Sequence, residues 1–148
     1  MREEQVTKAL LRWLTSCGWE IVCFDFPQSG TGRLLHPNGS EEKNRDAINP
    51  DIVAVRAGKC VFFENKDRFY RPDYLKQNKL IECNNYTDAI GKLLESYTVE
   101  SIYYGIGLPL EKHGGSSEKA AELVDFIAGV KRDGSVWIVH SRQDDIFD

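Results

Sequence analysis

Two short apolar runs joined at Ala57-Gly58 constrain this chain more than any other feature. The segments Asp51-Ile52-Val53-Ala54-Val55 and Cys60-Val61-Phe62-Phe63-Glu64-Asn65 are strand-length and rich in β-branched and aromatic residues. They predict a hairpin around Ala57-Gly58. Val61, Phe62 and Phe63 make the second strand read as buried, yet it runs directly into Glu64 and Lys66, as strands do where a site lies at the edge of a sheet. In a simple register Asp51 lies beside Glu64. Alternate strand residues share a face, so Glu64 and Lys66 are expected to point one way and Asn65 the other.

The remaining elements follow from period and punctuation. Residues 3 to 17 carry Val6, Ala9, Leu10, Trp13, Leu14 and Cys17 at steps of three and four, which predicts an amphipathic helix ended by Gly18. Trp19 to Phe26 reads as a strand. Pro27 to Asn49 is long, polar and without a period, as functional or mobile segments are. Arg71-Pro72-Asp73 opens a helix to about Cys83, and Thr87 is placed to cap a second one to about Ser96. Ser101 to Leu108 reads as a strand, His113 to Ser117 as a loop, Glu118 to Val130 as a helix and Val136 to His140 as a last strand. The tail Gln143 to Asp148 is expected to fray. The order predicts one α/β domain over residues 1–148, a mixed sheet flanked by helices, with a C-terminal βαβ-type extension.

With 148 residues and a net charge of −4, the chain has the composition of an ordinary globular domain and no general affinity for nucleic acid. The charge is uneven: residues 33 to 79 hold 10 Lys/Arg against 7 Asp/Glu, while the rest is acidic. No apolar run reaches membrane-spanning length and no signal-like stretch opens the sequence, so a cytoplasmic protein with no membrane partner is expected. Cys17, Cys23, Cys60 and Cys83 form no C-x-x-C pair and read as buried reduced thiols.

Two carboxylates, from Asp51 and Glu64, with a backbone carbonyl near residue 65 suit Mg²⁺, and Mn²⁺ is expected to substitute. Such an ion lowers the pKa of a bound water and stabilises charge on a scissile phosphate, while Lys66 is suited to orient that water or to stabilise the phosphate in the transition state. The local basic field is what a phosphodiester substrate would need.

The pattern Pro50-Asp51…Glu64-x-Lys66 resembles that of the PD-(D/E)xK nuclease superfamily, whose fold is restriction-endonuclease-like with an αβββαβ core; residues 3 to 108 follow that order. The opening Glu3-x-x-Val6-x-x-Ala9-Leu10-x-x-Trp13-Leu14, then Gly18-Trp19, is similar to the first helix of VRR-NUC-type and Holliday-junction-resolvase-like nucleases. That resemblance implies an early helical Glu completing the metal site: Glu3, with Glu4 one step away. Pro72-Asp73-x-x-x-Gln77 resembles the same group's Gln after Glu-x-Lys, which implies that Gln77 contacts a phosphate or metal-bound water. The chain departs from the VRR-NUC pattern in having Ile48-Asn49-Pro50-Asp51 and about 40 further residues after the minimal core. A small type II restriction enzyme would show the same core.

The resemblance implies a Mg²⁺-dependent DNA endonuclease, restriction-type or structure-selective. Its metal residues are Glu3, Asp51 and Glu64, assisted by Lys66 and Gln77. Arg33, Lys43, Arg45, Arg68, Arg71, Lys76 and Lys79 flank the site and are expected to contact DNA phosphates. Gln28, Ser29, Thr31, Arg33, His36 and Asn38 are candidates to reach base edges. Cutting both strands needs two sites, so a homodimer is expected, with Ile102-Tyr103-Tyr104 and the helix Glu118 to Val130 as possible interfaces. The rival reading is a catalytically silent DNA-binding or assembly subunit.

Overall fold

The computed structural model describes residues 1–25, 32–39 and 47–148. Its elements are α1 (Glu3–Ser16), β1 (Glu20–Phe24), β2 (Ile52–Arg56), β3 (Lys59–Asn65), α2 (Arg71–Glu82), α3 (Thr87–Leu93), β4 (Ser101–Pro109), α4 (Gly115–Ala120), β5 (Phe126–Val130) and β6 (Val136–Ser141). The six strands form one mixed sheet in the order β1-β2-β3-β4-β5-β6. Strands β1 to β3 and the β5–β6 pair are antiparallel; β4 is parallel to both β3 and β5. No helix among the described residues is long and apolar enough to cross a membrane.

The β2–β3 hairpin has the simple register, Ile52 opposite Phe63 through Arg56 opposite Lys59. Ala57 and Gly58 take φ of +50° and +81°, the left-handed pair that a two-residue turn needs to match the strand twist. Alternation then sorts the core. Ile52, Ala54, Val61 and Phe63 pack under α1 with Val6, Leu10 and Leu14, whereas Val53, Cys60 and Phe62 face Leu80, Tyr86, Ile90 and Leu94 of the α2–α3 layer. Helix α1 is amphipathic as expected, and the Gln5 side chain accepts the Arg2 N–H at 2.7 Å to close its first turn.

Helix α1 lies close over β4 because Gly105 and Gly107 leave that strand bare. A Cβ at Gly107 would stand 2.4 Å from both Asn65 Oδ1 and Leu10 Cδ1; one at Gly105 would stand 2.4 Å from the Phe126 ring. Gly107→Ala is therefore expected to cost about 1–3 kcal/mol through overpacking. Urea unfolding checks this, and wild-type stability would contradict the close approach.

The C-terminal third departs from the sequence reading. The helix expected over Glu118 to Val130 ends at Ala120, followed by a 3-10 turn, Ala121–Leu123, and Phe126 to Val130 is a fully buried strand. The spacing of Leu123, Phe126, Ile127 and Val130 fits a helix face, but a five-residue apolar run also fits a strand buried on both faces, and pairing with β4 and β6 decides. The βαβ crossover is thus β4-α4-β5, and β6 is a hairpin return. The Gly/Ser segment expected as a loop starts α4 at Gly115.

The tail does not fray. Ile146 is fully buried, and the Phe147 ring lies 5.2 Å from Trp13, 5.6 Å from Trp19, 6.3 Å from Phe63 and 5.0 Å from Phe126. Arg56 donates to the carbonyls of Cys17 and Asp148, and Lys59 to that of Asp145. The four cysteines are free thiols, as expected, but Cys17 is exposed and Cys83 half-buried. Burial raises the Cys23 thiol to about 11, which leaves it inert.

Candidate active site

The site is built where β2 begins and β3 ends. Asp51 extends the hairpin ladder by one step: its N–H donates to the Phe63 carbonyl at 3.0 Å, and its Oδ2 accepts the Asn65 N–H at 2.7 Å. The register places it opposite Glu64. Glu64 is 8% exposed, with Oε2 3.5 Å from Lys76 Nζ on α2. Lys66 donates its N–H to the Gly107 carbonyl at 3.0 Å and holds its ammonium 3.6 Å from Glu3 Oε1 on α1 and 4.6 Å from the centre of the Tyr70 ring. The N-terminal turns of α1 and α2 thus approach the same end of the sheet, each supplying partial positive charge there.

The shared face expected for Glu64 and Lys66 is not realised as a shared partner. Glu64 pairs with α2, whereas Lys66 pairs with α1, on the side where Asn65 Nδ2 donates to Thr7 Oγ1 at 3.0 Å. Lys66 lies one residue beyond the strand's end at Asn65, where strict alternation stops applying.

Asp51 and Glu64 are both held above the usual carboxylate range. Burial is the main cause for each. For Asp51 the Asn65 N–H works the other way and the Glu3 charge adds to the rise. For Glu64 the next cause is Asp51 itself, opposed by Lys76. Two buried, mutually repelling carboxylates gain most from a cation placed between them.

A fourth carboxylate, unassigned from the sequence, belongs to this group. Asp73, in the first turn of α2, is 6% exposed. Burial raises its carboxyl, and its charge in turn raises those of Asp51 and Glu64. The sequence carried a signal for it: Asp73 stands four residues before Gln77 and so shares that residue's inward helix face.

Glu3, not Glu4, approaches the site. Glu4 pairs with Lys8 at 2.9 Å on the outer side of α1, and that hydrogen bond lowers its carboxyl. Gln77 is placed differently from the expectation of a phosphate contact. It is 2% exposed, and its Nε2 donates to the carbonyls of Phe62 at 3.1 Å and Gly105 at 2.7 Å, bracing β3 against β4. An α2 residue in this position satisfies the sheet instead of reaching a ligand. Gln77→Leu is expected to cost about 1–3 kcal/mol by leaving buried carbonyls unpaired. Differential scanning calorimetry measures this, and a neutral result would remove the bracing role.

Arg33, Arg68, Arg71, Lys76 and Lys79 are exposed. Arg68 pairs with Asp67 at 2.7 Å and also lies 5.8 Å from the Tyr70 ring. Lys76 and Lys79 line a cavity of about 190 Å³ with Ala47, Ile48, Leu80 and Tyr86. Lys43, Arg45, Gln28, Ser29 and Thr31 lie outside the described residues. Asn38 is committed elsewhere: its Nδ2 donates to the Asn84 carbonyl and Thr87 Oγ1, and its Oδ1 accepts the Asp88 N–H, so Asn38, not Thr87, caps α3. The expected dimer surfaces are internal. β4 lies between β3 and β5, Tyr104 packs 5.1 Å from Phe62, and the helix proposed for the interface is largely strand.

The donors are hard oxygens and fit Mg²⁺ or Mn²⁺ in kind. Asp51 and Glu64 are adjacent, buried and mutually repelling, and Asp73 Oδ2 is a buried oxygen with no hydrogen-bond partner. Their spacing is wider than a closed ligand sphere: among the described residues no group of three His, Cys, Asp or Glu side chains stands in metal-holding geometry. Lysines draw Glu3 and Glu64 aside. No protein-family model matches the chain, and neither a curated protein nor a solved structure matches it.

Proposed function

We propose that this protein is a Mg²⁺-dependent DNA endonuclease of restriction-endonuclease-like fold, a member of the PD-(D/E)xK superfamily. The observation that carries the reading is the buried Asp51–Glu64 pair at the open end of the β2–β3 hairpin, with the Lys66 ammonium beside it. When bound, the divalent ion supplies an activated water and charge neutralisation at a phosphodiester.

The residues' own parts follow from their contacts. Asp51 and Glu64 hold the cation. The Asn65 N–H fixes the Asp51 carboxylate at 2.7 Å and keeps one of its oxygens oriented. Glu3 holds Lys66 in place and reaches the cation when that pair opens. Lys66 is kept charged near the scissile phosphate by Glu3 and by the Tyr70 ring. Gln77 acts as a positioning residue by locking β3 to β4. Arg33, Arg68, Arg71, Lys76 and Lys79 lead the phosphate backbone across the site, with Lys43 and Arg45 assigned the same role from sequence. A homodimer supplies the second cut.

One observation favours a second reading, a DNA-binding subunit without cleavage: Glu3 and Glu64 are each engaged by a lysine in place of a closed ligand set. Duplex, nicked, flap and four-way-junction DNA incubated with Mg²⁺, Mn²⁺ or EDTA separate the two. Metal-dependent cleavage supports the nuclease, and discrete plasmid bands favour restriction over junction resolution. Binding without cleavage under every condition selects the silent subunit.

A further inference from the structure

The first turn of α2 carries the least satisfied charge among the described residues of this site. Asp73 Oδ2 is enclosed and has no hydrogen-bond partner. Three cations bear on it: Lys76, Lys66 and Arg68. None lies within ion-pair distance among the described residues, since Lys76 is spent on Glu64, Lys66 on Glu3 and Arg68 on Asp67. A buried carboxylate left this way is strongly disfavoured. Protonation alone does not cure it, because a neutral carboxyl at Oδ2 still finds no partner. Helix-dipole complementarity accounts for an acid in a first turn but not for enclosing it beside two other buried acids.

We propose that Asp73 is a further ligand of the divalent cation, shared with Glu64 on the α2 side of the sheet. This rests on the metal-dependent reading above and extends it to a residue that the Asp51, Glu64 and Lys66 pattern does not include. The cation then has carboxylate donors from β2, β3 and α2. Binding turns Asp73 from an unpaired buried charge into a coordinated one, and releases Lys76 from Glu64 to face the phosphate backbone.

Titration of the protein with MnCl₂ alone, followed by calorimetry, tests the proposal without DNA. Asp73→Asn keeps the shape and removes the charge. It is expected to weaken Mn²⁺ binding at least ~10-fold, as loss of a coordinating partner does. In EDTA the same variant is expected to melt above wild type, because a buried unpaired charge is gone. Wild-type Mn²⁺ affinity in Asp73→Asn overturns the proposal. So does a lowered melting temperature in EDTA with an unchanged Mn²⁺-induced rise, which marks a purely structural acid. Mn²⁺ binding that depends on Asp73, in a protein that cuts no DNA, supports the ligand role and sinks the nuclease reading alone. A wild-type protein that binds no Mn²⁺ overturns both.

Discussion

Asp51→Asn abolishes metal-dependent cleavage and leaves the metal-free protein at least as stable as wild type. The two halves of this expected result have one cause. Asp51 is a buried acid held above its usual range by desolvation and by the charges of Glu3 and Asp73, so neutralising it relieves the folded state. The asparagine side chain still accepts the Asn65 N–H, and the hairpin end keeps its shape. What is lost is the negative charge that holds the cation. Lys66→Met provides the companion measurement: removing one preorganised donor to developing negative charge is expected to lower the cleavage rate about 10²–10³-fold. Single-turnover cleavage at saturating Mg²⁺, paired with thermal melting in EDTA, reads both variants. Cleavage by Asp51→Asn at the wild-type rate would remove the carboxylate pair from the mechanism. A collapse of stability would show that Asp51 is a structural acid.

The second large effect is on the pH dependence of stability without metal. Asp51, Glu64 and Asp73 all have folded-state values raised above those of an unfolded chain. The folded state therefore binds more protons than the unfolded one between the ordinary carboxylate range, near pH 4, and the raised values. The slope of unfolding free energy with pH is negative in that window. The stabilisation is fully present below the unfolded values and is lost as pH climbs through the folded ones. Each tenfold change in proton affinity is worth about 1.4 kcal/mol, so the three acids together make this a loss of a few kcal/mol. Urea unfolding in EDTA at about pH 5 and about pH 8 measures it, the lower pH giving the more stable protein. Saturating Mg²⁺ should erase the loss, because the cation binds the deprotonated carboxylates. An EDTA profile that rises with pH would show that these acids are solvated or paired.

Much of the fold and part of the site were legible in the sequence. The register of β2 on β3 followed from the two-residue turn at Ala57-Gly58, and α1 from an unbroken apolar stripe ended by Gly18. Both depend on neighbours close in the chain. Where a distant partner decides, local pattern was ambiguous. Phe126 to Val130 becomes a strand because β4 and β6 lie on either side, and Ile146 and Phe147 are ordered by Trp13, Trp19, Phe63 and Phe126. At the site, Asp51 and Glu64 were found because hairpin geometry fixes them. Asp73 was passed over as a helix-start residue. Gln77 was assigned outward because spacing alone cannot distinguish a side chain that serves the sheet from one that serves a ligand.

The seating of Phe147 ties catalysis to assembly order. It wedges between Trp13 of α1 and the aromatic residues of β3 and β5, so residues from opposite ends of the sequence complete one layer. Glu3 rides on that layer. A nascent chain can form the hairpin carboxylates early, but the helix that steadies Lys66 settles only after the segment around Phe147 has been synthesised. Such long-range closure is slow relative to hairpin formation. The growing polypeptide therefore passes through a stage in which the acids are in place and the lysine is not, a built-in delay between folding of the sheet and competence of the site.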